Sequence, residues 1–248
     1  MFKINIAAER NSDASYLPPW ARHEHQKRYD FAKGYLIGKD VVDCACGSGE
    51  SSAIFAGAGA NSVIGIDLDA QSIDNARQKY LNDNLKFVQN HNADLPLQDA
   101  SCDVVVSLET IEHVLDDSHF VDEICRVLRS SGLLICSTPN RLITNPRTTI
   151  NDKPWNQFHV REYSYDEFLK LFEKKFSLVL SNGQNPSSKI RRNAINVFAR
   201  VIGTKSSIRL LQLWKCRWFI LRKSRLHTVQ TGDAKSFEFF VLVLQKIN

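Results

Sequence analysis

A run of small residues directly after an apolar, strand-like stretch is the feature of the sequence that most clearly suggests chemistry. The stretch VVDCACGSGE occupies 41–50, and a helical pattern begins near Glu50. Its candidate ligand-contacting residues are Asp43, Ala45, Cys46, Gly47 and Gly49. Small side chains let a ligand touch the backbone, and ligands of open α/β sheets bind at the carboxyl ends of strands. The run therefore predicts a binding loop for a nucleotide-like ligand.

An acidic residue at the end of the next strand-like run complements this loop. Asp67 follows the glycines at the spacing of about 20 positions at which an acid can bind ribose hydroxyls. Its two oxygens can accept hydrogen bonds from two hydroxyls, and Leu68 offers an apolar surface to an adenine ring. Asp69 is interpreted as the cap of the following helix, whereas Asp43 could either support the ligand or cap backbone amides.

Strand-like runs alternate with helical patterns along the chain. The runs lie at 41–46, 62–67, 85–89, 102–108, 132–138, 176–181 and 237–245. This alternation predicts a largely parallel, doubly wound α/β sheet. One of the helices is predicted from an apolar face within 120–128, and Gly132 is placed to end it.

The length and composition fit one domain, 1–248. A chain of 248 residues with 43% hydrophobic content can bury a full core. A helix within 14–37 is predicted to lie over the ligand-binding edge of the sheet. The segments 139–163 and 185–233 are long for connectors in a compact domain. We therefore expect an acceptor loop at 139–163 and a basic helical insertion or lid at 185–233.

The sequence favours an intracellular location. No basic start followed by an apolar core opens the chain, and no uncharged apolar run approaches about 18 residues, so a cytoplasmic protein is expected. The six cysteines lack the spacing of a disulfide framework and are expected to be reduced. Cys44 and Cys46 have no second pair of ligands at zinc-site distances, so no metal site is predicted.

Positive charge is concentrated in one part of the chain. The net charge is +5, yet 174–232 holds thirteen Lys or Arg and no Asp or Glu, leaving 19 basic and 27 acidic residues elsewhere. A local excess of this kind indicates an anionic partner. Within it, 207–225 mixes basic residues with Leu, Trp and Phe. An interfacial helix on the inner face of a membrane, a nucleic-acid-binding face and a lid packed on its own domain all remain open.

The loop and later motifs resemble those of the class I S-adenosylmethionine-dependent methyltransferases. DCACGSG is similar to that family's D-x-G-x-G-x-G loop, with Ala45 at the first glycine position. The resemblance keeps its order across 14–184 and 236–246. It implies S-adenosylmethionine as the cofactor. It also implies a Rossmann-like, mostly parallel, seven-stranded sheet with an antiparallel last strand, the basic insertion preceding that strand.

Further contacts are implied by the same resemblance. In FVQNHNADLP, His91 and Asn92 stand where the family often has Asp-Ala beside the adenine edge. In SLETIEHV, Leu108 and Glu109 match residues that line the methionine end. The motifs STPNR, FHVREYS and HEHQKRYDFA resemble a subgroup often associated with cell-surface polysaccharide biosynthesis. The implied acceptor is a sugar, a nucleotide sugar or a lipid-linked glycan.

Methylation of a hydroxyl needs an aligned acceptor and removal of its proton. His159 is the candidate general base, because imidazole titrates near neutral pH. Arg161 is the candidate for holding an anionic group of the acceptor. The alternative for His159 is a structural imidazole bonded to the backbone of its loop, and His113 is interpreted as a packing or helix-surface residue.

Other functions remain open at this level. An RNA or other small-molecule methyltransferase is one, although the Asn/Asp-Pro-Pro-aromatic signature of amino methylation is absent after the fourth strand. A dinucleotide-dependent dehydrogenase is less favoured, since its G-x-G-x-x-G is missing. A catalytically degenerate cofactor-binding subunit is a third alternative, with Ala45 and His91 as its departures from the family.

Overall fold

A single mixed β-sheet organises the part of the chain described by the computed structural model, which comprises residues 19–90, 92–186, 226–228 and 237–247. Its strands are β1 (Asp40–Cys44), β2 (Ser62–Asp67), β3 (Leu85–Gln89), β4 (Cys102–Leu108), β5 (Leu128–Pro139), β6 (Phe176–Pro186), β7 (Leu226–Thr228) and β8 (Phe237–Lys246). Their spatial order is β3-β2-β1-β4-β5-β8-β6-β7. Neighbours from β3 to β5 are parallel, and β8 runs antiparallel between β5 and β6. The predicted mostly parallel sheet with an antiparallel last strand is confirmed.

The basic segment contributes one strand that its sequence did not indicate. The three residues of β7 pair antiparallel with Asn182–Gln184 of β6 and form the sheet's eighth strand. The prediction of a helical segment at 185–233 is therefore wrong for 185–186, which end β6, and for 226–228. The stretches 187–225 and 229–236 lie outside the described residues, and the predicted helix or lid there stays a prediction.

Helices cover both faces of the sheet. They are α1 (Pro19–Ala32), α2 (Glu50–Gly57), α3 (Ala70–Lys79), α4 (Asp117–Val127), α5 (Arg141–Thr144) and α6 (Tyr165–Phe172). The predicted N-terminal helix within 14–37 is α1 followed by a 3-10 turn, while 14–18 are not described. Asp69 caps α3 by accepting the amide of Ser72 at 2.8 Å, as predicted. Gly132 does not end α4, because that helix stops at Val127 and Gly132 lies inside β5.

Burial on both faces explains why the strands read as continuous apolar runs. In β4, Val105 packs into the apolar cluster on one face, and Val104 and Val106 pack into the cluster on the other. Strands covered on both sides need apolar residues at every position, which removes the alternation of a half-exposed strand. Among the described residues no helix is long and apolar enough to cross a membrane.

The parallel register brings the carboxyl ends of four strands to one edge. β1 pairs with β2 up to Cys44 opposite Ile66, and β4 pairs with β5 up to Leu108 opposite Ser137. The segments that leave β1, β2, β4 and β5 therefore meet at this edge, where open α/β sheets bind their ligands.

Gly47 and Gly49, in the loop after β1, differ in the space that an added side chain would have. A Cβ on Gly49 would lie 2.6 Å from Phe87 and 2.8 Å from Ala76, whereas one on Gly47 would meet nothing within 4 Å. Both residues have positive φ, so either alanine costs about 1–2 kcal/mol of strain. Gly49→Ala adds overpacking of about 1–3 kcal/mol. We expect Gly49→Ala to lower the free energy of unfolding clearly more than Gly47→Ala in urea titrations without cofactor. Equal losses would contradict this packing.

Candidate active site

Asp43 fastens the end of β1 to the start of α2. Its buried carboxylate accepts hydrogen bonds of 2.6 Å from the hydroxyls of both Ser51 and Ser52. These donors are side-chain hydroxyls rather than the backbone amides of a helix cap. Burial raises the pKa of Asp43 to about 6, while the two serine hydrogen bonds oppose that effect. The Asp43 carboxylate thus connects the two ends of the loop between β1 and α2.

The loop itself has the backbone shape that its small residues permit. Ala45 is exposed with φ of 60°, a left-handed conformation that costs a residue with a Cβ about 1–2 kcal/mol. The amide of Cys46 donates to the carbonyl of Ile66 at 3.0 Å. The Cα of Gly47 faces open space, so a ligand can approach its backbone. The residues present therefore fit the cofactor that the motif implies, with Ala45 as a strained variant.

Gly49 serves a different purpose from Gly47. Its amide donates to the carbonyl of Cys46 at 3.0 Å, and its Cα packs against Phe87 and Ala76. The need for glycine at this position is therefore explained by internal packing, whereas it was predicted to be a ligand contact. Direct contact of Gly49 with the cofactor stays a prediction.

Asp67 is the buried acid of the cofactor edge. Its Oδ2 accepts the amide of Gly47 at 2.8 Å, and its Oδ1 accepts the amide of Asp69 at 3.0 Å. A carboxylate has about four acceptor sites, so a carboxylate at this position can accept ribose hydroxyls as well as backbone amides. Leu68 follows it, half-buried, with its carbonyl held by Gln89 at 3.1 Å. The predicted acid and apolar residue are therefore adjacent at the end of β2.

The loop after β3 depends on a residue that sequence analysis missed. Asn90 is buried, and its amide nitrogen donates to the carbonyls of Asn92 and Asp94 at 3.0 and 3.2 Å. Asn92 is exposed, and its backbone amide donates back to Asn90 at 3.2 Å. His91 lies outside the described residues, so its predicted adenine contact stays a prediction.

Glu109 is held at the end of β4 by the neighbouring strand. It has φ of 53°, and its amide donates to the carbonyl of Ser137 at 3.1 Å. The Ser137 hydroxyl donates to its carboxylate at 2.6 Å. Ser137 is fully buried and was not singled out from the sequence. Leu108 precedes Glu109, half-buried, so both predicted residues lie at the edge formed by β4 and β5.

The predicted acceptor loop, 139–163, closes on itself. Its ends meet in a parallel bridge between Asn140 and Tyr163, and the amide of Arg141 donates to the carbonyl of Tyr163 at 2.8 Å. The loop also contacts the segment after β4, because the amide of Val160 donates to the carbonyl of Glu112 at 2.7 Å. The second half of the loop therefore lies beside the cofactor edge.

His159 is held between two side chains of this loop. Its Nδ1 lies 2.6 Å from Glu162, and its Nε2 lies 2.9 Å from the amide nitrogen of Asn156. The Asn156 oxygen accepts the amide of Phe158, which orients its nitrogen toward His159. The ring therefore donates from Nδ1 and carries its lone pair on Nε2. Glu162 is almost fully buried and also accepts hydrogen bonds from Thr144 and Asn145.

His113 was interpreted as a packing or helix-surface residue, and the structure brings it to His159 instead. The two rings meet edge to face with centroids 4.8 Å apart, and Nδ1 of His113 lies 3.1 Å from the carbonyl of Phe158. A carbonyl only accepts, so this ring also carries its proton on Nδ1. His113 belongs to a 3-10 turn at Ile111–His113 directly after β4, where no helical face exists to be read from the sequence.

Glu112 completes this group. It is 1% exposed, and its carboxylate accepts the Thr138 hydroxyl at 3.1 Å. Burial raises the pKa of Glu112 to about 8, the charge of Glu109 acts in the same direction and His159 opposes them. One ligand-type atom each of Glu112, His113 and His159 lies within 4.8 Å of the others. The doublet Glu112-His113 was the only local signal in the sequence for this cluster.

Arg161 is engaged within the protein. Its guanidinium pairs with Asp117 at the start of α4, and the Tyr163 hydroxyl donates to the same carboxylate oxygen at 2.7 Å. The Arg161 side chain retains 29% of its exposure. An anionic acceptor group would therefore compete with Asp117, and the positioning role of Arg161 stays a prediction.

Helix α1 lies against the same edge. The pKa of Tyr29 is raised above its usual range by burial, and the charges of Asp43 and Glu109 act in the same direction, which requires the phenol to be near both carboxylates. Arg28 lies over the ring of Phe239 in β8 at 5.0 Å. This placement is consistent with the predicted covering helix, and cofactor contact by α1 stays a prediction.

A parallel sheet whose strand ends carry a glycine loop, an acid at the end of the second strand and a further acid after the fourth strand is the arrangement typical of class I, S-adenosylmethionine-dependent methyltransferase domains. Residues 42–136 match the family model described as a methyltransferase domain.

Relatives support this class. The chain is 40% identical over 152 residues to a "probable S-adenosylmethionine-dependent methyltransferase" of Mycobacterium tuberculosis, covering 61% of this chain and 53% of that protein. It is 35% identical over 115 residues to a ubiquinone biosynthesis O-methyltransferase of Haemophilus ducreyi, covering 44% of this chain and 48% of that protein. The chain spans about half the length of these curated relatives. The likeness is therefore to methyltransferases, over 61% of this chain for the first relative and 44% for the second.

The fold is shared with solved structures at low sequence identity. An S-adenosylmethionine-dependent methyltransferase from Thermotoga maritima superposes with a TM-score of 0.62 and 16% identity, covering 92% of both chains. At that identity the likeness shows the fold alone, so the acceptor must be argued from this chain's own residues.

The ribose assignment of Asp67 can be tested against its neighbour Asp69. Asp67→Asn removes the charge and one acceptor oxygen, and we expect calorimetry to show at least about tenfold weaker binding of S-adenosylmethionine. Asp69→Asn is the matched control, since asparagine caps helices as well as aspartate. Unchanged affinity in Asp67→Asn would contradict the assignment. Failure of the unmodified protein to bind the cofactor would favour the degenerate-subunit alternative.

Proposed function

We propose that the protein is an S-adenosylmethionine-dependent O-methyltransferase whose acceptor is a hydroxyl of a sugar, nucleotide sugar or lipid-linked glycan. The observation that carries the proposal is the His159–Glu162 pair, with Nδ1 2.6 Å from the carboxylate, on a loop hydrogen-bonded to the segment after β4. A histidine oriented by a buried acid is the arrangement that removes a proton from a hydroxyl. Amino acceptors have no matching signature after β4.

Some residues of the chain would hold the cofactor, and others would prepare the acceptor for methyl transfer. When bound, S-adenosylmethionine supplies a methyl carbon that an acceptor oxygen displaces from sulfur, the electron pair of the broken bond staying on sulfur. Asp67 would hold the ribose, the backbone at Gly47 would contact the cofactor, and Glu109 would line its methionine end. His159 would take the hydroxyl proton on Nε2, and Glu162 would stabilise the resulting imidazolium.

Three sequence motifs and one relative bear on the acceptor class. The sugar or glycan assignment is supported by the resemblance of STPNR, FHVREYS and HEHQKRYDFA to methyltransferases of cell-surface polysaccharide biosynthesis. A phenolic hydroxyl is the second candidate, because one relative is a ubiquinone biosynthesis O-methyltransferase at 35% identity. Both acceptors are hydroxyls, so both would use the same proton-accepting group.

Incubation with methyl-labelled cofactor and a panel of acceptors tests the reaction. The panel contains sugars, nucleotide sugars, lipid-linked glycans, phenols and RNA, and we expect a methyl ether on a glycan hydroxyl, identified by mass spectrometry. His159→Gln should lower kcat about 10²- to 10⁴-fold and leave cofactor affinity intact. His119→Gln is the control, because His119 is a half-exposed histidine paired with Asp94. Methylation confined to nitrogen or to RNA would contradict the proposal.

The basic segment 185–233 adds a prediction about location. We propose that it binds an anionic membrane surface, because 174–232 holds thirteen basic residues and no acidic one. The full chain should float with liposomes containing anionic lipid and should not float with neutral liposomes. No association with either, together with salt-sensitive binding to RNA, would favour nucleic acid instead.

A further inference from the structure

We propose that Glu112, His113 and His159 form a binding site for one divalent first-row transition-metal ion beside the methyl-transfer site. Two imidazoles and one carboxylate make a donor set that such ions accept while keeping open positions for water or substrate. The three residues come from two separate segments, the turn after β4 and the loop between β5 and α6. They meet only because the folded loop returns to the sheet edge.

The distances are those of a site that a small side-chain movement can close. One donor atom from each residue lies within 4.8 Å of the other two. Around an ion with bonds of about 2.1 Å, neighbouring donors lie about 3–3.5 Å apart. The Asn156 amide nitrogen lies 2.9 Å from Nε2 of His159, so the ion would replace that hydrogen bond.

The hydrogen bonds at Nδ1 of His159 and His113 are of the kind that orients histidines as metal ligands. Nδ1 of His159 faces the Glu162 carboxylate, and Nδ1 of His113 faces the carbonyl of Phe158. A carboxylate or a backbone carbonyl on one ring nitrogen holds the tautomer whose other nitrogen binds the metal. Both rings therefore carry the lone pair on Nε2, the atom that each would offer to the ion.

The burial of Glu112 supports the same conclusion. It is 1% exposed, and among the residues that the structure describes no Lys or Arg pairs with it. Buried carboxylates are normally paired with a cation or bound to a metal. Glu109, three residues earlier, adds a second carboxylate nearby. A divalent ion would displace the proton of Glu112 and compensate the charge of both carboxylates.

A metal ion bound at this site would change how the acceptor hydroxyl loses its proton. This role of the ion rests on the proposed O-methylation. A hydroxyl oxygen bound to the ion has a lowered pKa, so its proton can leave to water before the oxygen bonds to the methyl carbon. With the ion bound, the Nε2 lone pair of His159 would bind the ion and water would take the hydroxyl proton; without the ion, His159 would take that proton as proposed above. The binding site itself does not depend on the identity of the acceptor.

Titration of the chelator-treated full chain with Mn²⁺, without cofactor or acceptor, tests the site directly. The loss of the free-ion paramagnetic resonance signal should report one Mn²⁺ per chain. Glu112→Gln keeps an acceptor for Thr138 and should weaken binding at least about tenfold, as should His113→Gln. His119→Gln, in the exposed His119–Asp94 pair, should bind as the unmodified protein does. Glu162→Gln should weaken binding about 10- to 100-fold through His159.

Each outcome decides the inference. No bound Mn²⁺, or equal affinity in Glu112→Gln, His113→Gln and His119→Gln, would overturn it. Circular dichroism of Glu112→Gln provides the folding control. Mn²⁺ binding with the expected ligand dependence but without methylation of any hydroxyl would uphold the site and contradict the proposed function. Methylation that survives complete chelation would restore His159 to the role of base.

Discussion

The hydrogen bond from the Gly47 amide to the Asp67 carboxylate is the contact on which the cofactor edge depends. It joins the loop after β1 to the end of β2 at 2.8 Å, and the amide of Cys46 donates to the carbonyl of Ile66 beside it. Both contacts require the parallel register that places Cys44 opposite Ile66. A change of register would leave Asp67 as a buried carboxylate without its amide donors, which is costly.

The sequence predicted a strand or helix correctly where the residues of that element alone determine its pattern. The strands were visible because residues such as Val104 and Val105 are buried on opposite faces and leave no polar position. The cap at Asp69 was visible because its contact spans three residues. Gly132 was misread, since a glycine inside a strand looks like a helix stop; there a Cβ would lie 2.9 Å from the carbonyl of Arg129. The pairing of β7 with β6 has no local signal.

The candidate site also has one part that the sequence predicted and one part that it did not. The loop after β1 and Asp67 follow a spacing that can be read along the chain. The grouping of Glu112 and His113 with His159 follows instead from closure of the loop between Asn140 and Tyr163, a contact between distant positions. Neither the 3-10 turn after β4 nor the closure of this loop produces a repeating pattern of residues in the sequence. The contact between His113 and His159 therefore had no signal in the sequence.

The electrostatics of this edge explain why cations suit it. Asp43, Asp67, Glu109 and Glu112 all lie at or just beyond the carboxyl ends of β1, β2 and β4. The charge of Asp67 adds to burial in raising the pKa of Asp43, and the charge of Glu109 raises that of Tyr29, so the carboxylates act on their neighbours through a medium that screens poorly. A sulfonium cofactor brings one positive charge to such an edge, and a divalent ion at Glu112 would bring two more. These acidic surroundings therefore favour both ligands, and they would also hold an anionic acceptor away unless Arg161 or a metal ion compensated its charge.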